Sequence, residues 1–210
     1  MKKIRINKKD RLNITLLVLF IILAIWSGIK PYDSLMWMAN VFVAIVYALG
    51  FILTYKKLRF TTLSYILIFI HLVIILVAAK YTYGQFPPFN VIKDFLGSSR
   101  NNFDRLGHFF QGFVPIILAR ELFLRNGFMK KGKFFILVII FFILAISASW
   151  ELFEFIGAMI FDKPEVYVLS LQGDIWDAQW DMICAIVGAI TSLIIFSKYH
   201  DKQIEKAEKG

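Results

Sequence analysis

The sequence predicts an all-α, polytopic membrane protein: a bundle of six transmembrane helices. Three observations lead to this fold class. Hydrophobic residues make up 59% of the 210 residues, whereas soluble domains are about 45–50% apolar. Several runs of roughly 18 or more apolar residues are long enough to cross a bilayer as helices. The alternating segments of about 10 residues that a transmembrane barrel needs do not occur in the sequence.

The charge pattern indicates a membrane protein and excludes a nucleic-acid-binding one. The net charge is +9, but Lys and Arg lie in short clusters between apolar runs, as is typical of loops that face anionic lipid head groups. We therefore expect the lipid bilayer as a partner and no nucleic acid. The single cysteine, Cys184, lies within an apolar run. Neither a disulfide framework nor a cysteine-based metal site is therefore available.

Residues 1–80 are predicted to form a three-helix scaffold half that is nearly free of charge within its spans. The first apolar run is longer than the core of a signal peptide and lacks a small-residue cleavage site, so we interpret it as an uncleaved span. The midpoint histidine of the third span, His71, is interpreted as a residue bonded within the bundle. The three predicted spans are residues 14–29, 35–55 and 60–79.

Residues 81–103 are predicted to be an extracytoplasmic loop, because Gly, Pro, Ser and Asn residues that favour turns are frequent there. In its middle, residues 89–96 carry apolar side chains at helical spacing. This pattern predicts a short helix lying at the membrane interface, with a plain loop as the alternative.

Residues 104–198 are predicted to be a three-helix half that carries the acidic residues found within spans. A polar cytoplasmic tail, residues 199–210, follows it, and residues 1–210 together are interpreted as a single integral membrane domain. The three predicted spans of this half are residues 104–123, 133–161 and 178–197.

The distribution of Lys and Arg predicts that both termini are cytoplasmic. Of the 24 Lys and Arg residues, 17 lie in the N-terminus, the tail and the two loops on the same side, and five lie in the alternate loops. Positive charge is retained on the cytoplasmic side of a membrane. An even number of spans agrees with this orientation.

Three polar clusters interrupt the apolar sequence of residues 104–198, each at the outer end of a predicted span. Residues three or four apart share one helical face, so each span presents its polar residues together. A carboxylate inside a span costs about 2.5–3.5 kcal/mol and therefore faces the protein interior. We expect the three clusters to meet at one depth. They are Asp104-Arg105-Leu106-Gly107-His108 with Gln111, Trp150-Glu151-Leu152-Phe153-Glu154, and Gly173-Asp174-Ile175-Trp176-Asp177 with Asp181.

The combination of carboxylates and one imidazole suits a divalent metal ion, because hard and borderline cations prefer oxygen and nitrogen ligands. Carboxylates from facing helices hold metal pairs in some helical bundles. Alternatively, paired carboxylates could transfer protons without a metal. The predicted metal ligands are Asp104, His108, Glu151, Glu154, Asp177 and Asp181. The predicted catalytic residues are His108, Glu151, Glu154 and Asp181, and the predicted substrate-binding residues are Arg105, which would hold an anionic head group, Gln111 and Asp174.

A purely structural interpretation explains some of these acids. Asp104, Asp174 and Asp177 could cap helices or interact with their positive N-terminal ends. Glu151 and Glu154 fit this interpretation poorly, because they lie in the C-terminal half of their helix, where the dipole disfavours negative charge. Glu121, beside two arginines at the opposite end of its span, is interpreted as part of a cytoplasmic-side ion pair.

At these residues the sequence resembles the YjdF-like family of small bacterial inner-membrane proteins, which is classed as a domain of unknown function. The similarity covers roughly the C-terminal half and also the length and the six-span layout. It implies a multi-pass protein of the bacterial inner membrane and implies no activity. The motifs that carry it are residues 103–113, Arg120-Glu121, residues 150–154 and residues 173–182.

The leading functional hypothesis is a membrane-embedded, metal-assisted hydrolase or transferase that acts on a lipid or cell-envelope substrate. A small ion- or proton-coupled transporter is the first alternative, because carboxylates within spans also mark ion pathways. The second alternative is a structural or regulatory subunit in which the polar cluster fastens the helices to one another.

Overall fold

The computed structural model describes residues 8–161, 172 and 174–208. All regular elements in this part of the chain are helices, so the predicted all-α class is confirmed. The helices are α1 (Lys8–Ser27), α2 (Ser34–Thr54), α3 (Thr62–Tyr81), α4 (Pro87–Phe95), α5 (Phe103–Phe113), α6 (Pro115–Arg125), α7 (Lys133–Phe161) and α8 (Asp177–Glu208).

Five of the described helices, α1, α2, α3, α7 and α8, are long and apolar enough to cross a membrane. The predicted span at residues 104–123 is instead divided into α5 and α6, which have 11 residues each. The division has a local cause. Pro115 has no backbone N–H to donate and restricts the conformation of Val114. Helical bonding resumes at once, because the Ile117 amide donates to the Val114 carbonyl at 3.1 Å.

The C-terminal helix is longer than predicted. The span was expected to end near residue 197, but α8 continues to Glu208, and the side chains of His200 and Ile204 are buried. Much of the predicted polar tail is therefore a continuation of the helix. Gly173 of the third predicted cluster and Lys163, which entered the count of outer charges, lie outside the described residues.

The chain divides into two compact units, residues 1–80 and residues 81–210. In the first unit, side chains tie the helix ends together. The Trp37 indole of α2 donates a hydrogen bond to the Ser27 hydroxyl at the end of α1, at 3.0 Å. The Lys80 ammonium of α3 donates a hydrogen bond to the Ile29 carbonyl, in the turn between α1 and α2, at 2.6 Å.

Helix α2 begins with a side-chain cap. The Asp33 carboxylate accepts hydrogen bonds from the amides of Leu35 and Met36, at 2.8 and 2.9 Å. These amides have no partner within the helix, so the carboxylate satisfies them and also favours the positive end of the helix dipole.

Replacing Asp33 by alanine is expected to lower the free energy of unfolding by about 1 kcal/mol, the usual effect of losing a cap. Thermal melting of the purified protein in detergent would measure the change. Asp33→Asn keeps an acceptor and should retain most of the stability. Equal melting temperatures for Asp33→Ala and the unmodified protein would contradict the role of this cap.

In the second unit, α5 and α8 cross with their backbones in contact. A Cβ atom added to Gly112 of α5 would lie 1.7 Å from the Ala185 carbonyl oxygen of α8. One added to Gly188 of α8 would lie 1.9 Å from the Phe109 carbonyl oxygen of α5. Only glycine fits at either position. Small residues at a crossing permit such close approach in membrane helices, and this crossing fixes how α5 and α8 present their polar residues.

At one end of the second unit, a buried ionic network joins α6 to α8. Glu121 and His200 are fully buried, and His200 Nε2 lies 3.2 Å from Glu121 Oε2. Arg125 Nη1 lies 2.9 Å from Glu121 Oε1. Arg120 pairs with Asp201. The ion pair expected at Glu121 is therefore present, and the network extends into the segment that was predicted to be a polar tail.

Candidate functional site

The site is formed at the opposite end of the second unit, where α5 and α8 begin and where α7 passes. Asp104 and His108 lie one turn apart on α5, and both are buried. Asp177 and Asp181 lie one turn apart on α8 and are also buried. Glu151 of α7 completes the arrangement. The helical spacing that predicted paired residues on one face is present in all three helices.

The imidazole of His108 is the point at which the three helices meet. Its Nε2 atom lies 3.6 Å from Asp104 Oδ1 and 3.7 Å from Asp181 Oδ2. Its Nδ1 atom lies 3.6 Å from Glu151 Oε1. Carboxylates from α5, α7 and α8 thus surround one buried ring, whose side chain is 5% exposed.

Gln111 orients this ring. His108 Nδ1 lies 3.1 Å from the Gln111 side-chain oxygen, which can only accept a hydrogen bond. In the neutral tautomer whose proton is on Nδ1, the ring donates to Gln111 and leaves Nε2, the atom nearest Asp104 and Asp181, as the acceptor. Metal-binding histidines usually show this arrangement, in which a bond from the second ring nitrogen fixes the tautomer.

Asp104, His108 and Asp181 have the geometry of a metal-binding group. One ligand atom from each residue lies within 4.8 Å of the other two. A cation bound by carboxylate oxygen and imidazole nitrogen needs contacts of about 2.0–2.2 Å, so two ligand atoms on one ion lie at most about 4.4 Å apart. The distances from His108 Nε2 to Asp104 Oδ1 and Asp181 Oδ2, 3.6 and 3.7 Å, are within this limit, and the donor types suit a divalent cation. Of the six predicted ligands, these three form the compact group.

Two arginines cross-link the acids of α5 and α8. Arg105 Nη1 lies 2.6 Å from Asp181 Oδ1, and Arg105 Nη2 lies 2.9 Å from Asp177 Oδ1 and 3.0 Å from Asp174 Oδ2. Arg100 Nη2 lies 2.6 Å from Asp177 Oδ1 and 3.0 Å from Asp104 Oδ2. The donors of Arg105 are therefore directed at protein carboxylates, and an anionic head group would have to share them.

Glu154 lies at the edge of this arrangement. Its carboxylate accepts a hydrogen bond of 2.7 Å from the Trp150 indole, one turn earlier on α7. Tyr83 lies nearby and packs closely on α5, since a Cβ added to Gly107 would be 2.7 Å from its ring. Burial, and then the negative charges of Asp104 and Glu154, raise the pKa of the Tyr83 hydroxyl, which therefore stays protonated near neutral pH.

The structure thus brings together most of the predicted site residues without testing their roles. Asp104, His108, Glu151, Asp177 and Asp181 converge, and Gln111 bonds to the imidazole. Asp174 is bound by Arg105 and is partly exposed, and it accepts a hydrogen bond from the Trp176 amide at 2.9 Å. The assignments as catalytic, substrate-binding or metal-binding residues stay predictions.

Three residues of the site region were not identified from the sequence. Arg100 could have been found from its charge, because it lies four residues before Asp104 and pairs with it, although it precedes α5. Asn101 and Gln172 carried no such signal. The Gln172 side chain accepts from the Asn101 amide at 2.8 Å and donates to the Asn101 carbonyl at 3.0 Å, a pair of bonds between segments 71 residues apart.

With all of its acids ionised, the site would be strongly negative. Among the described residues, six carboxylates lie in or beside it, and only two guanidinium groups are paired with them. An uncompensated charge in a buried setting is costly. The arrangement therefore favours either a bound cation or protons shared among the acids. The acids are Asp104, Glu151, Glu154, Asp174, Asp177 and Asp181, and the cations are Arg100 and Arg105.

Comparison with known proteins agrees with the family resemblance found in the sequence. Residues 12–202 match a family described as predicted membrane proteins (DUF2238). The chain is 38% identical over 195 residues to the inner membrane protein YjdF of Escherichia coli (strain K12), and the alignment covers 93% of each chain. No solved structure matches the chain. Five of the helices in the described part of the chain are apolar and long enough to cross a bilayer, and the chain belongs to this family of predicted membrane proteins and is a multi-pass protein of the bacterial inner membrane.

Proposed function

We propose that the protein is a membrane-embedded hydrolase or transferase that uses a divalent metal ion and acts on a lipid or cell-envelope substrate. The observation that carries this proposal is the position of His108. Its Nε2 atom faces two buried carboxylates, while Gln111 holds the other ring nitrogen. A histidine that only filled space in the bundle would not need this combination.

The excess of carboxylates supports the metal in particular. Arg100 and Arg105 neutralise two of the negative charges, and a divalent cation bound by Asp104, His108 and Asp181 would offset two more. Bound in this position, a cation would supply Lewis-acid chemistry, polarising a phosphoryl or carbonyl oxygen of the substrate.

Glu151 is proposed as the group that accepts or donates a proton. Unlike the aspartates of the central set, it has no arginine partner among the described residues, and its Oε1 atom makes no hydrogen bond there. It lies 3.6 Å from His108 Nδ1, and its side chain is 13% exposed. A carboxylate in such surroundings is suited to proton transfer in both directions. Glu154 is proposed as a second such group, held in place by the Trp150 indole.

The substrate class is inferred from where the site lies along the bundle. The distribution of Lys and Arg assigns this end to the extracytoplasmic side, where lipid head groups and envelope precursors are within reach. Asp174 and Arg105 lie at the most exposed part of the site, with side chains 31% and 16% exposed. We assign these two residues to substrate contact, with Arg105 shared between the protein acids and an anionic group.

The membrane topology that this proposal requires has six crossings and cytoplasmic termini. We propose that α5 and α6 cross jointly as one span bent at Pro115, since the two helices follow one another without a loop. In this arrangement residues 1–80 are a scaffold and residues 104–198 carry the chemistry. The short helix α4 would lie at the outer interface, where its exposed Val91, Ile92 and Phe95 would contact lipid.

Metal analysis of the purified protein tests the proposal. We expect about one equivalent of a divalent metal to remain bound after dialysis, and we expect His108→Ala and Asp181→Asn each to reduce it at least tenfold. The physical reason is that each substitution removes one of three ligands. Loss of a direct ligand is more severe than loss of a group that only holds a ligand in place, as in Gln111→Ala, which typically lowers metal affinity 10–100-fold.

Asp201→Asn is the matched control, because Asp201 is an ion-paired aspartate of α8 at the other end of the same unit. It should leave metal content unchanged. Protein that folds normally but holds no stoichiometric metal in any of several divalent salts would refute the metal-dependent function.

A structural role is the second candidate, and the arginine network favours it. Four aspartates of the site are paired with Arg100 or Arg105, and the pairs of Arg105 with Asp177 and Asp181 fasten α8 to α5. This candidate predicts that Asp181→Asn lowers stability without any change in metal content. The metal analysis therefore separates the two candidates.

The transporter alternative has less support in the described residues. Between Asp181 and His200, the buried side of α8 consists of Ala185, Gly188, Ala189 and Ser192, which are small and cannot ionise. Along this buried face of α8, the ionisable groups thus lie at the two ends, Asp177 and Asp181 at one and His200 at the other. A proton or ion path along this face would need polar groups from elsewhere.

A further inference from the structure

A cavity of about 510 Å³ lies in the first unit, apart from the site described above, between α1, α2 and α3. Its volume falls within the range of about 300–1,000 Å³ that is usual for ligand pockets. Most of its wall is aliphatic or aromatic, with Leu16 and Phe20 from α1, Ala48 and Phe51 from α2, and Leu72 from α3.

One side of the cavity opens to the surroundings of the helices. Ile14 of α1 and Ile52 of α2 belong to the wall and are 48% and 47% exposed. In a protein of the inner membrane, an exposed apolar opening of this kind suits contact with lipid hydrocarbon. Water is a poor occupant, because an ordered water needs two to four polar partners. A hydrocarbon chain gains dispersion contacts along the whole wall.

One end of the cavity is polar and is connected by hydrogen bonds. Tyr55 donates to Asp10 Oδ1 at 2.5 Å and accepts from the Asn13 amide at 3.1 Å. Arg59 lies 2.5 Å from the same Asp10 oxygen, so the carboxylate is compensated. An apolar wall with a polar group at one end matches a molecule that has a hydrocarbon chain and a polar head.

The basic residues beside this polar end favour an anionic head group. Lys56 and Lys57 follow Tyr55 directly, and both are exposed, as is Arg11 next to Asp10. These cations exceed the one acid present, which is already paired. The Lys and Arg distribution also places this end on the cytoplasmic side, where anionic lipids attract basic residues.

We propose that this cavity is a binding site for one acyl chain of an anionic phospholipid, whose head group lies against Lys56, Lys57 and Arg11. The site is independent of the carboxylate and histidine cluster in the second unit. Lipid in this position would fill the space between α1, α2 and α3. The packing of the N-terminal unit would then depend on the lipid composition of its leaflet.

Native mass spectrometry of the delipidated, full-length protein tests the site, with phosphatidylglycerol and phosphatidylcholine of identical acyl chains as probes. We expect one phosphatidylglycerol to bind at least tenfold more tightly than phosphatidylcholine. Ala48→Phe, which fills the cavity from α2, should weaken phosphatidylglycerol binding at least tenfold. Ala39→Phe is the matched control, because Ala39 is an exposed residue of the same helix, and it should bind as the unmodified protein does.

A second variant tests the head-group contact and does not depend on the packing of the cavity. The double substitution Lys56→Gln and Lys57→Gln changes only exposed side chains, so folding should be unaffected. It should remove most of the preference for phosphatidylglycerol while phosphatidylcholine still binds. Equal lipid binding by Ala48→Phe and Ala39→Phe would overturn the proposal, and so would a dimer that dissociates in Ala48→Phe, because the cavity would then hold a second copy of the chain.

Discussion

Replacing Gly112 by alanine is expected to disrupt the second unit. The added methyl group would lie 1.7 Å from the Ala185 carbonyl oxygen, and the atom in the way belongs to the backbone, which cannot rotate aside as a side chain can. Helices α5 and α8 would have to separate. We expect a loss of at least about 3 kcal/mol in the free energy of unfolding, the upper end of the usual cost of overpacking. Thermal melting in detergent would measure it.

Gly50→Ala is the matched control for this substitution. Gly50 is also a glycine within an apolar helix, but nothing lies within 4 Å of an added Cβ atom. Alanine has the higher helix propensity, so the melting temperature should stay constant or rise. Gly188→Ala should behave like Gly112→Ala, because the Phe109 carbonyl oxygen is equally close. A Gly112→Ala protein as stable as Gly50→Ala would show that the two backbones do not touch.

Replacing Arg105 by alanine is expected to lower the free energy of unfolding nearly as much as Gly112→Ala does. The guanidinium lies within 3.0 Å of carboxylate oxygens of Asp174, Asp177 and Asp181, and the last two residues have side chains only 2% exposed. Their charges would lose a main partner in a buried setting. Breaking a buried ion pair from one side costs about 3–5 kcal/mol. Chemical or thermal unfolding in detergent would show the loss.

Two comparisons show whether the loss of stability in Arg105→Ala comes from its ion pairs with the buried aspartates. Arg105→Lys keeps the charge but not the planar fork that reaches several acids, so an intermediate loss is expected. Lys93→Ala removes one partner of a pair whose aspartate is 75% exposed, and such pairs contribute about 0–1 kcal/mol. In a double-mutant cycle, Arg105→Ala combined with Asp181→Asn should cost less than the sum of the two single changes. Strict additivity would contradict the contact.

The fold was predictable where the length of an apolar run determines the helix. The apolar runs predicted α2, α3 and α7 to within about two residues at each end, because burial in lipid leaves few alternatives to a helix. The division at Pro115 was missed, although proline within a helical run signals a bend. The extension of α8 beyond Ser197 was missed for another reason. Its polar composition indicated a tail, whereas contacts of His200 with Glu121 and Arg120 hold it as helix.

The candidate site was predictable to the extent that helical geometry determines it. Spacings of three and four residues placed Asp104 with His108 and Asp177 with Asp181 on shared faces. The pairing of Arg105 on α5 with Asp177 and Asp181 on α8 could not be derived in the same way. It depends on how α5 rotates against α8, which is set by the contact between Gly112 and Ala185. Side-chain partners across helices follow from packing and not from the spacing within one helix.

The length of α8 has a consequence for the bilayer that can surround the second unit. Asp181 and His200 are 19 residues apart on this helix, or about 28 Å at 1.5 Å per residue, close to the roughly 30 Å thickness of a hydrocarbon core. The spacing of the two charged layers is thus close to the thickness of a hydrocarbon core. If α8 spans the bilayer, a thicker membrane would place one charged layer within the hydrocarbon or reduce the tilt of the helix. The distance between Asp181 and His200 would then determine the bilayer thickness that the second unit matches best.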